Sequence, residues 1–372
     1  MEKIPKPRFR TILLFLSIIS LFLCVANFVV YLALATIFSI TSSVALSLLI
    51  VLLAGMSGGF ILTSVLGSYY YNTFTRISYT ITATWMGFFT YLFFSSVIYG
   101  ILAMISGSVA HIIGELSLTG SVIISMYGFF HARNIQVKKV DISLEHLPEQ
   151  WRGRKALWIS DIHLGQIHGL SFAQKIVEKI QTLPHDIIFI GGDLYDGTGA
   201  PDPDELISPL TSLSAPLGTY FITGNHEEFG DASRFLAAIR KANIHTLIDE
   251  SVDIDGLQII GVDYHNASNT ERFKNILATL HIQPGTLSIL LKHEPKDVTV
   301  ASQAGISFQI SGHTHKGQQW PLQHIAQWMY GDFTYGLHQF KNMLVYTSSG
   351  VGTWGPPVRV GTDSEMVLFT FV

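Results

Sequence analysis

Between Thr11 and Phe130 the chain carries only two formally charged residues, Arg76 and Glu115, while nearly all its remaining charge follows Ala132. So long a stretch with so little charge does not fold as an ordinary soluble domain. It falls instead into apolar runs able to cross a bilayer, whose hydrocarbon core of about 30 Å needs about 20 helical residues. The runs lie at Thr11 to about Ile37, Ser43 to Leu66, Ile77 to Ile105 and Val109 to Phe130, with the short turns FSITSS, GSYYYNTFTR and ISGS between them. The first run is not read as a cleaved signal peptide, because it is too long, lacks a small-residue cleavage site and is followed by three more spans. Composition agrees: of 372 residues 48% are hydrophobic and 13% charged, with a mean hydropathy of +0.37.

An even number of spans puts the N-terminus and everything after Phe130 on one side. Lys3, Lys6, Arg8, Arg10, Arg76, Arg133, Lys138 and Lys139 all fall on that side, and the other two loops carry no Lys or Arg. By the positive-inside bias the chain is expected to be a multi-pass membrane protein with its second domain on the cytoplasmic side. A net charge of -4 with no basic stripe argues against nucleic acid as a partner. The lone Cys24 cannot form an intramolecular disulfide. His111 and Glu115 stand four apart, hence on one helical face of the last span. Ionisable groups there are costly, and two readings stay open: a hydrogen-bonded pair joining helices, or a contact to a lipid headgroup or an ion.

Beyond Phe130 the pattern changes. Residues 1–131 read as a transmembrane domain of four helices, 132–152 as a polar linker, and 153–372 as a second domain of α/β character. Apolar runs at Ala156–Ser160, Asp186–Ile190, Leu217–Thr223, Leu257–Val262, Thr286–Leu291 and Ile306–Ile310 predict strands. Helical periodicity marks Ser171–Leu183, Asp231–Ala242, Thr270–Leu280 and Lys296–Gln303. Each strand runs into polar residues: DIHLG, GGD, GNHEE, DYHN, KHEP and SGHTH. Strands that deliver polar ends to one sheet edge build a site there.

Those ends supply Asp161, His163, Asp193, Asn225, His226, His293, His313 and His315. Carboxylate, imidazole and amide donors are what Mn, Fe or Zn accept. Buried imidazoles without partners would cost a few kcal/mol each, so His313 and His315 need something to bind. In D-x-H and H-x-H an extended backbone would turn both donors to one face.

The five motifs DIH, GDLYD, GNHE, KHE and GHTH, in this order and each at the end of an apolar run, resemble the calcineurin-like metallophosphoesterase superfamily from about Ala156 onward. The ending GVGTWGPPVR, Gly350 to Arg359, is similar to its bacterial membrane-associated branch. The resemblance implies a four-layer sandwich of two β-sheets flanked by helices, preceded here by the four transmembrane helices. It implies two divalent metal ions: one held by Asp161, His163 and His315, the other by Asn225, His293 and His313, with Asp193 bridging. It further implies attack on phosphorus by a hydroxide between the metals. His226 would stabilise the developing charge or protonate the leaving oxygen, and Asp196 would orient His226 through a ring N–H.

Where some relatives place an arginine soon after G-D-x-x-D, this chain has Gly197. Substrate contacts must come from elsewhere, with Asp263, His265, Lys316 and Arg359 as candidates, although residues of these types more often serve structural or solvent-facing roles. His168, His185, His245, His281, His324 and His338 lie off the pattern. Trp320, Trp328 and Tyr330 suit either an apolar substrate entrance or ordinary packing. The expected function is a membrane-anchored phosphoesterase acting on a phosphate or pyrophosphate ester of a lipid or lipid-linked substrate. The alternatives are a tethered phosphodiesterase or phosphatase for a soluble or protein substrate, and a non-catalytic metal-stabilised scaffold.

Overall fold

A computed structural model of the chain describes residues 9–197, 202–229, 232–282 and 286–372, with side chains described from residue 17 onward. Lys3, Lys6 and Arg8, the side chain of Arg10, and Asp231 at the start of one predicted helix lie outside the described residues. The chain divides into two compact units, one built from the chain up to Leu66 with Thr73–Tyr127, the other from Gly67–Asn72 with Gly128–Val372.

The first unit is formed by α1 (Phe9–Ile37), α2 (Ser43–Tyr69), α3 (Thr73–Ala103) and α4 (Gly107–His131). All four are long and apolar enough to cross a membrane. In hydrocarbon an unpaired hydroxyl is costly, and the helices pair theirs across their contacts. Ser95 Oγ lies 2.5 Å from Ser121 Oγ, Thr63 Oγ1 lies 2.9 Å from Thr82 Oγ1, and Ser57 Oγ donates to Asn27 Oδ1 at 3.2 Å. Leu23, Ala26, Val30, Leu53 and Phe89 pack together as the apolar centre. His111 Nε2 and Glu115 Oε1 stand 3.6 Å apart, beyond hydrogen-bond distance, and both belong to α4. The pair therefore does not join two helices.

The second unit begins with β1 (Ile135–Ile142), β2 (Lys155–Ile159), α5 (Leu170–Gln181), β3 (Ile187–Ile190), α6 (Pro203–Ile207), β4 (Thr219–Phe221), α7 (Asn225–Glu228), α8 (Ala232–Lys241), β5 (His245–Thr246) and β6 (Glu250–Ile254). It continues with β7 (Leu257–Gly261), α9 (Tyr264–Ala267), α10 (Thr270–Thr279), β8 (Ser288–Leu291), α11 (Val298–Gln303), β9 (Phe308–Ser311), α12 (Gln323–Tyr330), β10 (Gly336–Phe340), β11 (Met343–Thr347) and β12 (Ser364–Phe371). Two six-stranded sheets result, in the orders β1-β12-β2-β3-β4-β5 and β10-β11-β9-β8-β7-β6. Within them β2 to β5 run parallel, as do β7, β8, β9 and β11.

Strand periodicity explains the layers. Side chains two apart share a face, so Ala156, Trp158, Ile187, Phe189, Ile289, Leu291, Phe308 and Ile310 meet between the sheets. Their neighbours Leu157, Ile159, Ile188 and Ile190 face outward onto α5 and α8, where Ile176, Ile180, Phe235 and Ile239 cover them. On the far side Ile260, Leu290 and Val345 pack against Phe273 and Leu277 of α10 and Ala301 of α11. Strands buried on both faces read as continuous apolar runs such as IIFI, which is why the sequence betrays them. Residues 132–152, read from the sequence as a linker, contain β1, which pairs in parallel with β12 along its whole length. An edge strand whose apolar residues are interrupted by Lys138, Lys139 and Asp141 leaves no such run.

Candidate metal centre

The loops after β2, β3, β4, β8 and β9 gather the predicted donors at one end of the two sheets. His163 Nε2 lies 3.1 Å from His315 Nε2, and His315 Nε2 lies 3.6 Å from Asp161 Oδ1. Opposite them, His313 Nδ1 is 2.8 Å from Asn225 Oδ1 and 3.3 Å from His293 Nε2. Asp193 Oδ2 faces both groups, 3.2 Å from His293 Nε2 and 3.9 Å from His163 Nε2. All seven predicted ligands thus converge.

Three donor groups are tight enough to hold an ion: Asp161, His163 and His315; Asp193, His293 and His313; and His163, Asp196 and His226. Divalent cations fit this cage on its own evidence. Its donors are a close-set group of carboxylate oxygens and imidazole nitrogens, nearly all buried, the set that divalent transition cations accept. Imidazole nitrogens facing each other at 3.1 Å are stable only with a proton or a cation between them. His293 Nδ1 hydrogen-bonds to the Gly191 carbonyl oxygen at 2.7 Å, which makes Nδ1 a donor and turns Nε2 into the cage.

The electrostatics agree. Burial opposes charge on His293, but the Asp193 and Asp161 carboxylates outweigh it and lift the ring to about 10, so positive charge is drawn to this spot. Burial, His163 and the Arg359 guanidinium hold His315 well below the ordinary imidazole range, in the neutral form a ligand must have. Burial and His293 push His313 down to about 4.

Backbone conformation, not strand alternation, aims the donors. Asp161, His163, Asp193, His313 and His315 all adopt positive φ, between 47° and 68°. The extended D-x-H and H-x-H geometry expected from sequence is therefore not what the loops use. A left-handed residue turns the chain sharply after β2, β3 and β9, letting these loops press together. Gly224 makes one such approach possible, since a Cβ there would collide with Asp193 Oδ1.

Asp196 meets His226 chiefly through its main chain. His226 Nδ1 lies 3.2 Å from the main-chain carbonyl oxygen of Asp196, a hydrogen bond, and 3.6 Å from its carboxylate Oδ1. The same Oδ1 is 3.4 Å from His163 Nδ1, so the carboxylate is shared between two rings. Gly197, where an arginine was considered, has φ +82°, and a Cβ there would sit 2.8 Å from the His226 carbonyl oxygen. A side chain at this position would strain the loop that carries His226.

Of the four candidate substrate contacts, Asp263 caps α9 and accepts from Thr223 Oγ1 at 2.9 Å, and His265 stands 3.7 Å from Glu228 Oε2. Lys316 lies over the Tyr335 ring at 4.2 Å. Arg359 alone reaches the cage. Fully buried, it donates through Nη2 to the carbonyl oxygens of Ser349 at 2.7 Å and Gly352 at 2.6 Å, and lies 3.3 Å from His315 Nδ1. His168 is buried, stacked on Phe172 and bonded to Thr353 Oγ1, and with His185, His245, His281, His324 and His338 it stands apart from the donor groups.

Sequence reasoning gave no role to Glu227. Its carboxylate accepts from the backbone N–H groups of Asp193 at 2.9 Å, Gly224 at 2.7 Å and Tyr195 at 3.1 Å, tying the loop after β3 to the loop after β4. An acidic residue three after Gly224, at the start of α7, is the signal that pointed to it.

A two-sheet sandwich with helices outside, bearing a two-part His/Asp cage at its strand ends, defines a metal-dependent phosphoric ester hydrolase. The family profile of the calcineurin-like phosphoesterases matches residues 154–317. An uncharacterised metallophosphoesterase of Campylobacter jejuni is 30% identical over 266 residues, 70% of each chain. A transmembrane protein with a metallophosphoesterase domain from Bos taurus is 32% identical over 270 residues, 68% of this chain and 60% of that one. Its counterpart from Danio rerio is 30% identical over 285 residues, 71% of this chain and 63% of that one. The chain belongs to the calcineurin-like phosphoesterase family, and its four apolar helices make it a membrane protein. It spans 60–70% of the length of these relatives.

Proposed function

We propose that the protein is a membrane-anchored phosphoesterase that hydrolyses a phosphate or pyrophosphate ester of a lipid or lipid-linked substrate at the cytoplasmic face. The observation that carries the hydrolytic reading is the meeting of two donor groups at Asp193 Oδ2. In this reading Asp161, His163 and His315 would hold one divalent cation, Asn225, His293 and His313 a second, and Asp193, whose Oδ2 faces both groups, would serve both. Its other oxygen is engaged by the His226 N–H at 2.8 Å, which fixes the carboxylate plane. When bound, such cations supply Lewis acidity toward the phosphoryl oxygens and make hydroxide available near neutral pH.

The chain's own residues do the rest. Burial and the neighbouring His163 keep His226 below the ordinary imidazole range, so the ring rests neutral, with Nδ1–H donating to the Asp196 carbonyl oxygen. Nε2 is then free to face the substrate. An anionic phosphoester beside it favours the imidazolium, which can give its proton to the leaving oxygen as the phosphorus–oxygen bond breaks. Glu227 keeps the backbone of Asp193 and Gly224 in place without touching the reacting atoms.

Support for a lipid substrate comes from the four spans carried by the same chain. The test uses the full chain in nanodiscs with Mn2+, a generic soluble phosphodiester and a phospholipid carried in the disc. Asp193→Asn should reduce turnover of both by orders of magnitude. Turnover equal in the variant and the parent would favour a metal-stabilised scaffold. Hydrolysis of the soluble ester alone would favour a tethered enzyme for soluble substrates.

A further inference from the structure

The second unit carries an apolar surface that none of its cores explains. Among the described residues beyond His131, eight large apolar side chains are exposed, and six of them lie between Trp320 and Trp354. So tight a clustering in one stretch of chain marks a surface built for a partner. On α12 the residues Ile325, Trp328 and Met329 are 56%, 86% and 54% exposed, and their i, i+3, i+4 spacing sets them on one helical face. The opposite face is anchored: Ala326 is buried, its carbonyl oxygen accepts from Thr334 Oγ1, and Tyr330 Oη donates to Glu294 Oε1 at 3.0 Å.

This surface borders the metal centre. The Tyr330 ring at the end of α12 is 6.0 Å from the ring of His313. On the other side of the cage the exposed Trp354 lies 6.3 Å from His226, and the exposed Phe229 lies 4.7 Å from the same ring. Gln318 locks Trp354 in place, accepting from its N–H at 2.9 Å and donating to its carbonyl oxygen at 3.1 Å.

We infer that the α12 face, with Trp328 at its tip, is a membrane-docking surface that inserts at the lipid headgroup boundary and holds the mouth of the site against the bilayer. Connectivity supplies the occupant. Only Ala132, Arg133 and Asn134 separate α4 from β1, and they form a tight turn in which the Ala132 N–H donates to the Gly128 carbonyl oxygen and the Asn134 N–H to that of His131. A bilayer surface is within reach at all times. Trp and Met with an aliphatic neighbour are suited to that boundary, where one part of a ring is apolar and its N–H is wet. A short two-turn helix that exposes an apolar stripe flanked by the polar His324 and Gln327 is the form such an interfacial element takes.

The test reads depth, not activity, so it stands or falls separately from the lipid-substrate reading. Spin labels are placed one at a time by Ile325→Cys, Trp328→Cys and Met329→Cys in a Cys24→Ser background, with the full chain in vesicles of phosphatidylcholine and phosphatidylglycerol. Lys274→Cys on the exposed side of α10 serves as the aqueous reference. Collision with oxygen relative to a water-soluble nickel chelate should be several-fold higher at the three α12 positions than at 274. A ratio equal to that at 274 would overturn the inference. So would low access to both reagents with label-to-label coupling between copies, which would mean that a second chain covers the face. Turnover of a soluble phosphodiester checks that each variant is folded. As a second measurement, brominated lipid should quench the tryptophan emission of the parent more than that of Trp328→Phe, and equal quenching would overturn the inference as well.

Discussion

Glu227→Gln tests whether the cage depends on the carboxylate beneath it. Glu227 is fully buried; Oε2 accepts from Asp193 and Gly224, and Oε1 accepts from Tyr195. Glutamine offers one acceptor oxygen and an NH2 group. In its better orientation the oxygen replaces Oε2 and the NH2 faces the Tyr195 N–H, leaving that donor unpaired at a cost of about 1–3 kcal/mol. Two charge-assisted bonds also become ordinary ones. The charge itself works in the other direction: desolvation first, then the nearby Asp193, push the Glu227 carboxyl up to about 7, so removing it returns part of the loss. A net cost of about 2 kcal/mol remains, which for a unit of this size lowers Tm by roughly 4–8 °C. Thermal unfolding of the full chain, followed by tryptophan fluorescence, reads the shift, and titration with Mn2+ reads the metal affinity. A variant matching the parent in both would refute the claim that Glu227 holds the two loops together.

Two further outcomes follow from the same geometry. Arg359→Met removes the donor to the carbonyl oxygens of Ser349 and Gly352 and the cation beside His315, and is expected to weaken metal binding about 10–100-fold by calorimetry; unchanged affinity would reduce Arg359 to a packing role. Chelation should lower Tm because metal binds only the folded cage: at a free-ion concentration 100-fold above Kd the linkage is about 2.7 kcal/mol, or roughly 5–11 °C. Adding Mn2+ back should restore the transition, and indifference to chelator would show that no ion is tied to the native state.

The sequence made some of this legible and hid the rest for definable reasons. The membrane helices were legible because charge is almost absent from them, and the boundary of α3 moved only from Ile77 to Thr73. The parallel strands β3, β8 and β9 were legible as short apolar runs ending at donors. The strand β1 was not, since Lys138, Lys139 and Asp141 break up its apolar residues at a sheet edge. Nor was β10, where GLHQF is half-exposed and pairs antiparallel with β11. In the site, the candidate ligands could be named from the motifs and the family they resemble, but the means of bringing them together could not. Asp and His at positive φ look no different in sequence from the same residues on a strand. Arg359 was visible only as a basic residue in GVGTWGPPVR; its importance comes from a chain reversal that brings it to His315, 44 positions earlier.

Five of the seven predicted ligands are held in the left-handed region, where a non-glycine residue costs of order 1–3 kcal/mol. Such a sum persists only if surrounding bonds over-determine it, and those bonds can be named. The His313 N–H donates to Asp161 Oδ1 at 3.0 Å, the His226 N–H to Asp193 Oδ1 at 2.8 Å, and the Asp193 N–H to Glu227. Backbone bonds add the Asp161 N–H on the Gly192 carbonyl oxygen and the His163 N–H on that of Asp193, both at 3.0 Å. Each tie runs from one loop to another and involves no ion. These hydrogen bonds therefore help to shape the cage, and loosening a tie such as Glu227 should weaken metal binding as well as the fold.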